Sequence, residues 1–439
     1  MKIELAKDVL YIIETLRVHG HRADAVGGCV RDFLMGKEPF DIDITTSAKP
    51  EEMKAIFAGE KTIETGIKHG TLTLLLSGTP YEITTYRVDG EYADHRHPTE
   101  VIFSETLAED LARRDFTVNA MCYSPSEGLT DLYGGRCDLE NKIIRAVGEA
   151  ERRFTEDALR ILRGLRFSAT LGFAIEEETA AAMKKCAHLL SFVSAERVLV
   201  EWKKLLGGRE ARRVLSEYKE VLSVTLPFLS EVAIDRLPDL EDLNAEERML
   251  LLFALIPSSA HAASSSDISM PSCGREVAFA EQKTEGDREP SVTNDAESLA
   301  ARFEEAALAL RSDRAFIRRG TAVLAHLFDE DRGNEESLCL LLHHLGADGA
   351  KTVLRLRRVL ASAEERGAAA MRLADLDRLI EKNPCVSLAS LAVGGKELAS
   401  IGLRGVAIGE ALSYLLAEVM GGRVENESKA LLAHLEKRK

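Results

Sequence analysis

An apolar run, Ala23–Val26, stops at Gly27-Gly28, and the chain soon afterwards reads Asp41-Ile42-Asp43-Ile44-Thr45-Thr46. Adjacent glycines remove side-chain bulk where a backbone could close on phosphate oxygens before the helix-like Cys29–Leu34 begins, which marks Gly28 and Arg31 as candidates for phosphate binding. After Gly36 the sequence reads as a strand. Residues two apart on a strand share a face, so Asp41 and Asp43 are expected to project together while Ile42 and Ile44 turn to the core. Paired carboxylates offer the hard oxygen ligands that Mg2+ prefers, and a two-metal site activates an attacking hydroxyl while stabilising a departing pyrophosphate. Asp41 and Asp43 are therefore the candidate catalytic and metal-ligating residues, and the implied chemistry is nucleotidyl transfer. The competing reading, two solvated aspartates at a strand edge after an ordinary turn, is weakened by the spacing to the glycines.

The segments GGCVRDFLMG and DIDITT resemble the DNA polymerase beta-like nucleotidyltransferase superfamily, in the form used by bacterial class II tRNA nucleotidyltransferases and poly(A) polymerases. This resemblance implies an α/β head, a polymerase beta-like mixed sheet with helices, followed by all-α neck, body and tail domains. The run from Glu109 to Ala120 resembles the RRDFTxNA signature of the same family. The planar fork of Arg114 suits phosphate, and Asp115 and Asn119, four apart on an expected helical face, could accept from and donate to ribose hydroxyls. Glu82, in an expected strand Tyr81–Tyr86, reads equally well as a third acid of the site or as an exposed strand glutamate. Asp110 is a further acidic candidate. Asp131, Gly134, Gly135, Asp138 and Leu139 resemble a link element between head and neck, with a structural role.

Thr155-Glu156-Asp157 is expected to open a helix with its buried stripe on Ala158, Leu159, Ile161, Leu162, Leu165 and Phe167. Asp157 and Arg160 then neighbour one another, and Arg163 and Arg166 continue the row. The segment EDALR resembles the family's base-reading element. A carboxylate that only accepts beside a guanidinium that only donates requires a base edge with a donor next to an acceptor. Cytosine and adenine satisfy it; uracil and guanine leave two groups mismatched, a selection on the order of a thousandfold. CTP and ATP are the implied nucleotides, and the 3′ end of tRNA the implied acceptor.

With 439 residues, the chain is too long for a single core. The expected division is 1–138 for the head, 139–205 for the neck, 206–345 for the body with a long mobile insertion at 257–296, and 346–439 for a tRNA-binding tail. The tail, from Gly394 to Asn426, resembles that of Firmicute-type enzymes, although Lys396-Glu397 and Arg404-Gly405-Val406 depart from the usual pattern. The loop around Tyr92, Asp94, Arg96 and Pro98 resembles a flexible element linked to addition of the terminal adenosine; His95 and His97 read as solvated. A net charge of -15 argues against non-specific binding to nucleic acid, so RNA would need a local basic surface. The seven cysteines, with no C-x-x-C pair, suggest neither zinc nor disulfides. The longest apolar run, Met249–Ile256, is too short to span a bilayer and the N-terminus lacks an apolar leader, which points to the cytoplasm, with no membrane association and no obligate protein partner. The reading that follows from the resemblance is template-independent addition of C, C and A to the 3′ end of tRNA, with addition of A alone as the alternative. Poly(A) synthesis is disfavoured by the neck element, and a non-catalytic tRNA-binding protein by the retention of both aspartates.

Overall fold

The computed structural model describes residues 3–89, 101–257 and 296–437. The loop around Arg96 and nearly all of the 257–296 insertion lie outside the described residues. The chain divides into two compact units, Met1–Ser230 and Glu231–Lys439.

The first unit is built on a mixed sheet in the order β3-β4-β5-β2-β1-β8-β9. An amphipathic helix, α1 (Lys7–Val18), buries Val9, Ile12, Ile13 and Leu16, and leads into β1 (Ala23–Val26). Ile3 and Leu5 are buried ahead of α1. Next come α2 (Gly28–Leu34), β2 (Asp43–Thr46) and α3 (Pro50–Ile56). The Ser47 hydroxyl accepts from the Arg22 backbone, and at the start of α3 the Lys49 N–H donates to Glu52. Three strands follow: β3 (Lys61–Ile63), β4 (Thr71–Leu76) and β5 (Thr79–Thr85). Ser77-Gly78 alone makes the turn from β4 to β5, both residues having positive φ as tight hairpins need. β2 runs parallel to β5 and antiparallel to β1. A small ribbon of β6 (Arg87–Asp89) and β7 (Val101–Phe103) precedes α4 (Leu107–Ala112); β8 (Met121–Ser124) and β9 (Gly128–Asp131) then complete the main sheet.

Beyond the sheet the unit is helical: α5 (Gly135–Glu140), α6 (Ala150–Glu156), α7 (Leu159–Leu171), α8 (Glu177–Cys186) and α9 (Ala195–Leu206). One exception is a short parallel pair, β10 (Ile143–Ile144) with β11 (Ala174–Ile175), which ties the two ends of the α6–α7 segment together. On α9 Glu201 and Trp202 are buried.

The second unit is helical throughout its described residues. Phe253, Phe303 and Phe316 meet edge to face, with centroids 5.3 and 5.4 Å apart, in its first core. Its longest helical segment, Glu335–Leu360, is interrupted at Gly346, whose φ of 66° and ψ of -178° break the helical ladder. A separate cluster of Leu398, Leu415 and Leu431 joins the last three helices. No helix among the described residues is long and apolar enough to cross a membrane.

Candidate active site

The register of three strands builds the acidic part of the site. Val26, the last residue of β1, pairs with Asp43, the first of β2, and Ile44 pairs with Ile83 of β5, so Asp43 and Glu82 begin adjacent parallel steps. Both are exposed. Asp41 lies just ahead of the strand, not on it, so the expected strand pairing of Asp41 with Asp43 is corrected to a carboxylate on an irregular approach beside one on the strand edge. Their charges nevertheless interact. Lost hydration, with Asp41 and Glu82 close by, pushes the Asp43 carboxyl up to about 6 against the opposing pull of Arg114.

Such crowded carboxylates are what a divalent cation would relieve. Among the described residues no three acidic, histidine or cysteine side chains are arranged to enclose an ion. An open set of oxygen donors fits Mg2+, which keeps waters and substrate phosphates in its shell, better than a metal needing a closed protein cage.

Gly27 turns the chain from β1 into α2 with φ of 83° and ψ of -132°, a conformation that suits glycine. A methyl group at that position would lie 3.2 Å from the Arg114 guanidinium, so the same residue also makes room for the arginine. Arg114 is anchored by Asp110, as is Arg113, at 3.0 and 2.6 Å. Asp110 is fully buried and accepts from Thr45 of β2. Burial alone would raise its carboxyl; Arg114 and Arg113 hold it below the usual carboxylate range. Asp110 is thus committed to clamping arginines, and of the two further acids Glu82 is the one whose charge reaches Asp43.

Asp115 and Asn119 do come together, but not on a helical face. After α4 ends the chain turns, and a single 3-10 turn, Thr117–Asn119, brings the Asn119 amide to Asp115 at 3.2 Å. The Asn119 carbonyl accepts from Arg31 of α2 at 2.7 Å, and Asp115 takes Arg163 of α7 at 2.6 Å. A continuous chain, Arg31–Asn119–Asp115–Arg163, therefore links all three sequence motifs. Burial would raise the Asp115 carboxyl, but Arg163 outweighs it and takes it down to about 2.

The neck residues depart furthest from expectation. Thr155 and Glu156 close α6 instead of opening a helix, and Asp157 stands at the junction, its carboxylate accepting from the Leu159 N–H at 3.1 Å. It pairs with Arg197 of α9 at 2.7 Å, not with Arg160. Arg160 is buried, donating to Glu156 at 2.8 Å and to the Arg113 carbonyl at 2.9 Å. Arg166 meets Glu201 at 2.6 Å. Arg197, Glu201 and Phe167 thus belong to the same constellation and were not singled out by sequence as site residues. The signal available was the E-R…E-W spacing of α9, which reads as an ordinary charged face.

Residues 24–145 match the model of the poly A polymerase head domain, 172–230 that of an RNA and SrmB-binding site of polymerase A, and 300–435 that of tRNA nucleotidyltransferase domain 2. The chain is 47% identical over 219 residues to a CCA-adding enzyme of Bacillus cytotoxicus, covering 50% of this chain and 55% of that one. It is 47% identical over 225 residues to one from Geobacillus stearothermophilus, covering 51% and 55%. These matches thus span about half the length of the curated relatives. A crystal structure of the Bacillus stearothermophilus CCA-adding enzyme in complex with CTP superimposes with a TM-score of 0.74 at 32% identity, over 98% of this chain and 96% of that one. The chain belongs to the family of bacterial CCA-adding enzymes, within the tRNA nucleotidyltransferases and poly(A) polymerases.

Proposed function

We propose that this protein adds C, C and A to the 3′ end of tRNA without a template, using CTP and ATP and releasing pyrophosphate. The reading rests above all on the strand register that sets Asp43 beside Glu82 at the turn made by Gly27, with Arg114 over that turn. It is supported by similarity along the whole chain to an enzyme crystallised with CTP.

Asp41 and Asp43, with Glu82 alongside, would hold Mg2+, which when bound would polarise the phosphoryl group and the attacking hydroxyl. Gly28, Arg31 and Arg114 receive the triphosphate through backbone N–H groups and guanidinium forks. Asp115 and Asn119 face the ribose, and Arg163 and Arg166 add positive charge along α7. Asp157 and Arg160 read the base edge, in competition with Arg197 and Glu156 that hold them in the free protein. The second unit holds the tRNA. A cytoplasmic location, where tRNA and both nucleotides meet, goes with this reading.

The test is to supply transcripts ending at the discriminator base, in C and in CC, with each labelled nucleotide separately. Incorporation of C on the first two and of A on the third is expected. Labelling of the CC-ended transcript alone would leave an A-adding enzyme, and no labelling would overturn the proposal in favour of a non-catalytic tRNA-binding protein.

A further inference from the structure

Phe167 is a nearly buried ring on α7, 6% exposed, and three guanidinium groups gather around it. Arg166 lies over the ring at 3.8 Å from its centroid, Arg31 at 5.4 Å and Arg163 at 5.6 Å. Two of these arginines come from the same helix, but Arg31 comes from α2, after the glycine turn. The ring also meets Phe116, in the middle of the Arg113–Asn119 run, edge to face at 5.9 Å and 81°. Gly164, one turn earlier, leaves the space that Phe116 occupies, since a methyl group there would sit 2.7 Å from its Cζ. One aromatic side chain thus touches all three motifs.

We propose that Phe167 is a positioning residue, a shared cation platform that sets the spacing of Arg31, Arg163 and Arg166 before a polyphosphate arrives. Like charges so close together would otherwise spread apart. The ring's negative face attracts each guanidinium and fixes its plane. Asp32 and Glu201 each take one arginine, and Asp115 with Asn119 ties Arg163 to Arg31; the ring is the element that all three arginines meet. The inference rests on the nucleotide-binding reading above and names the element that prepares its phosphate subsite.

The test compares wild type with Phe167→Leu and Phe167→Tyr, using inorganic tripolyphosphate as the probe in a calorimetric binding measurement and CTP and ATP in steady-state transfer. Leucine keeps an apolar side chain but removes the π face; tyrosine keeps the face. The expected result is a roughly tenfold weaker tripolyphosphate affinity for Phe167→Leu, with KM for CTP and ATP raised together, kcat within about twofold, and near recovery in Phe167→Tyr. Equal tripolyphosphate affinity in wild type and Phe167→Leu, or no binding to wild type, overturns the platform. Loss of affinity in Phe167→Tyr equal to that in Phe167→Leu also overturns it, because packing alone would then explain both. Since the tripolyphosphate arm does not depend on transfer, a wild type that binds it but transfers neither nucleotide defeats the proposed function and leaves the platform standing.

Discussion

The two units use charge in opposite ways. In the first, Asp24, Asp110 and Asp115 are buried, and an arginine is held against each: Arg22 and Arg114 from close by in the chain, Arg163 from α7. In the second, ion pairs range from open to half-buried: the side chains of Arg332 and Glu330 are 68% and 77% exposed, whereas those of Arg372 and Asp331 are 15% and 22% exposed. Glu247 goes furthest, buried against Arg355 while it also caps a helix with Asn244. Burying ions costs more hydration than pairing returns unless the geometry is good, so a unit that buries several is poorly explained by stability alone. The first unit reads as a device for holding cations in fixed places, the second as a helical scaffold whose cores are apolar.

That contrast can be broken by experiment. The largest effect is expected from Asp41→Ala or from chelating the divalent metal. Either should reduce transfer by on the order of a thousandfold, the equivalent of several kcal/mol of transition-state stabilisation, while the melting temperature changes little. A variant that retains near-normal turnover would remove this carboxylate from the mechanism.

Backbone crowding comes next. A methyl group on Gly135 would lie 2.1 Å from the Thr117 carbonyl oxygen, a clash with main chain that cannot swing aside. Gly135→Ala should cost about 3 kcal/mol in denaturant unfolding. A cost below about 1 kcal/mol would show that the link between the Asp131–Asp138 element and the Thr117–Asn119 turn is looser than described.

Charge burial itself is tested by a matched pair of substitutions. Arg163→Met strands the buried Asp115 carboxylate and should cost roughly 2–3 kcal/mol, reduced somewhat because Arg163 is partly solvated. Arg332→Met in the second unit should cost less than about 0.5 kcal/mol. Similar costs in the two units would erase the distinction.

The smallest effect is a change of shape. Because the folded Asp115 carboxyl is held at about 2, below its unfolded value near 3.9, its contribution is present above about pH 4 and is lost as pH falls towards 2. Asp115→Asn should therefore flatten the acid limb of stability against pH in that window. An unchanged limb would mean that other carboxylates dominate it.

How far the sequence carries this account differs residue by residue. Asp43, Gly27 and Arg114 could be proposed from the sequence because residue type and short spacing are enough to single them out. The mixed sheet and helical remainder followed from the resemblance and from apolar period. What local pattern missed was geometry set by tertiary contact. Asp41 falls off the strand, and Asp115 reaches Asn119 through a 3-10 turn whose four-residue spacing imitates a helix. Asp157 looks like the first turn of a helix but lies between two, and its cation, Arg197, is 40 residues further on. Arg31 meets Asn119 across 88 residues, a contact no local window contains. Glu82 gained standing only from the β2–β5 register, since an exposed strand glutamate looks alike wherever it points.

The central claim is that one set of carboxylates in the first unit serves every addition while other surfaces hold the tRNA. Its most direct test is Asp43→Asn, assayed side by side for C addition to a transcript ending at the discriminator base and A addition to one ending in CC, with tRNA affinity measured on the same preparation. The account predicts that both additions fall together, by on the order of a thousandfold, with tRNA affinity within about twofold of wild type. Retention of either addition within tenfold of wild type, or loss of tRNA binding in step with activity, would contradict it.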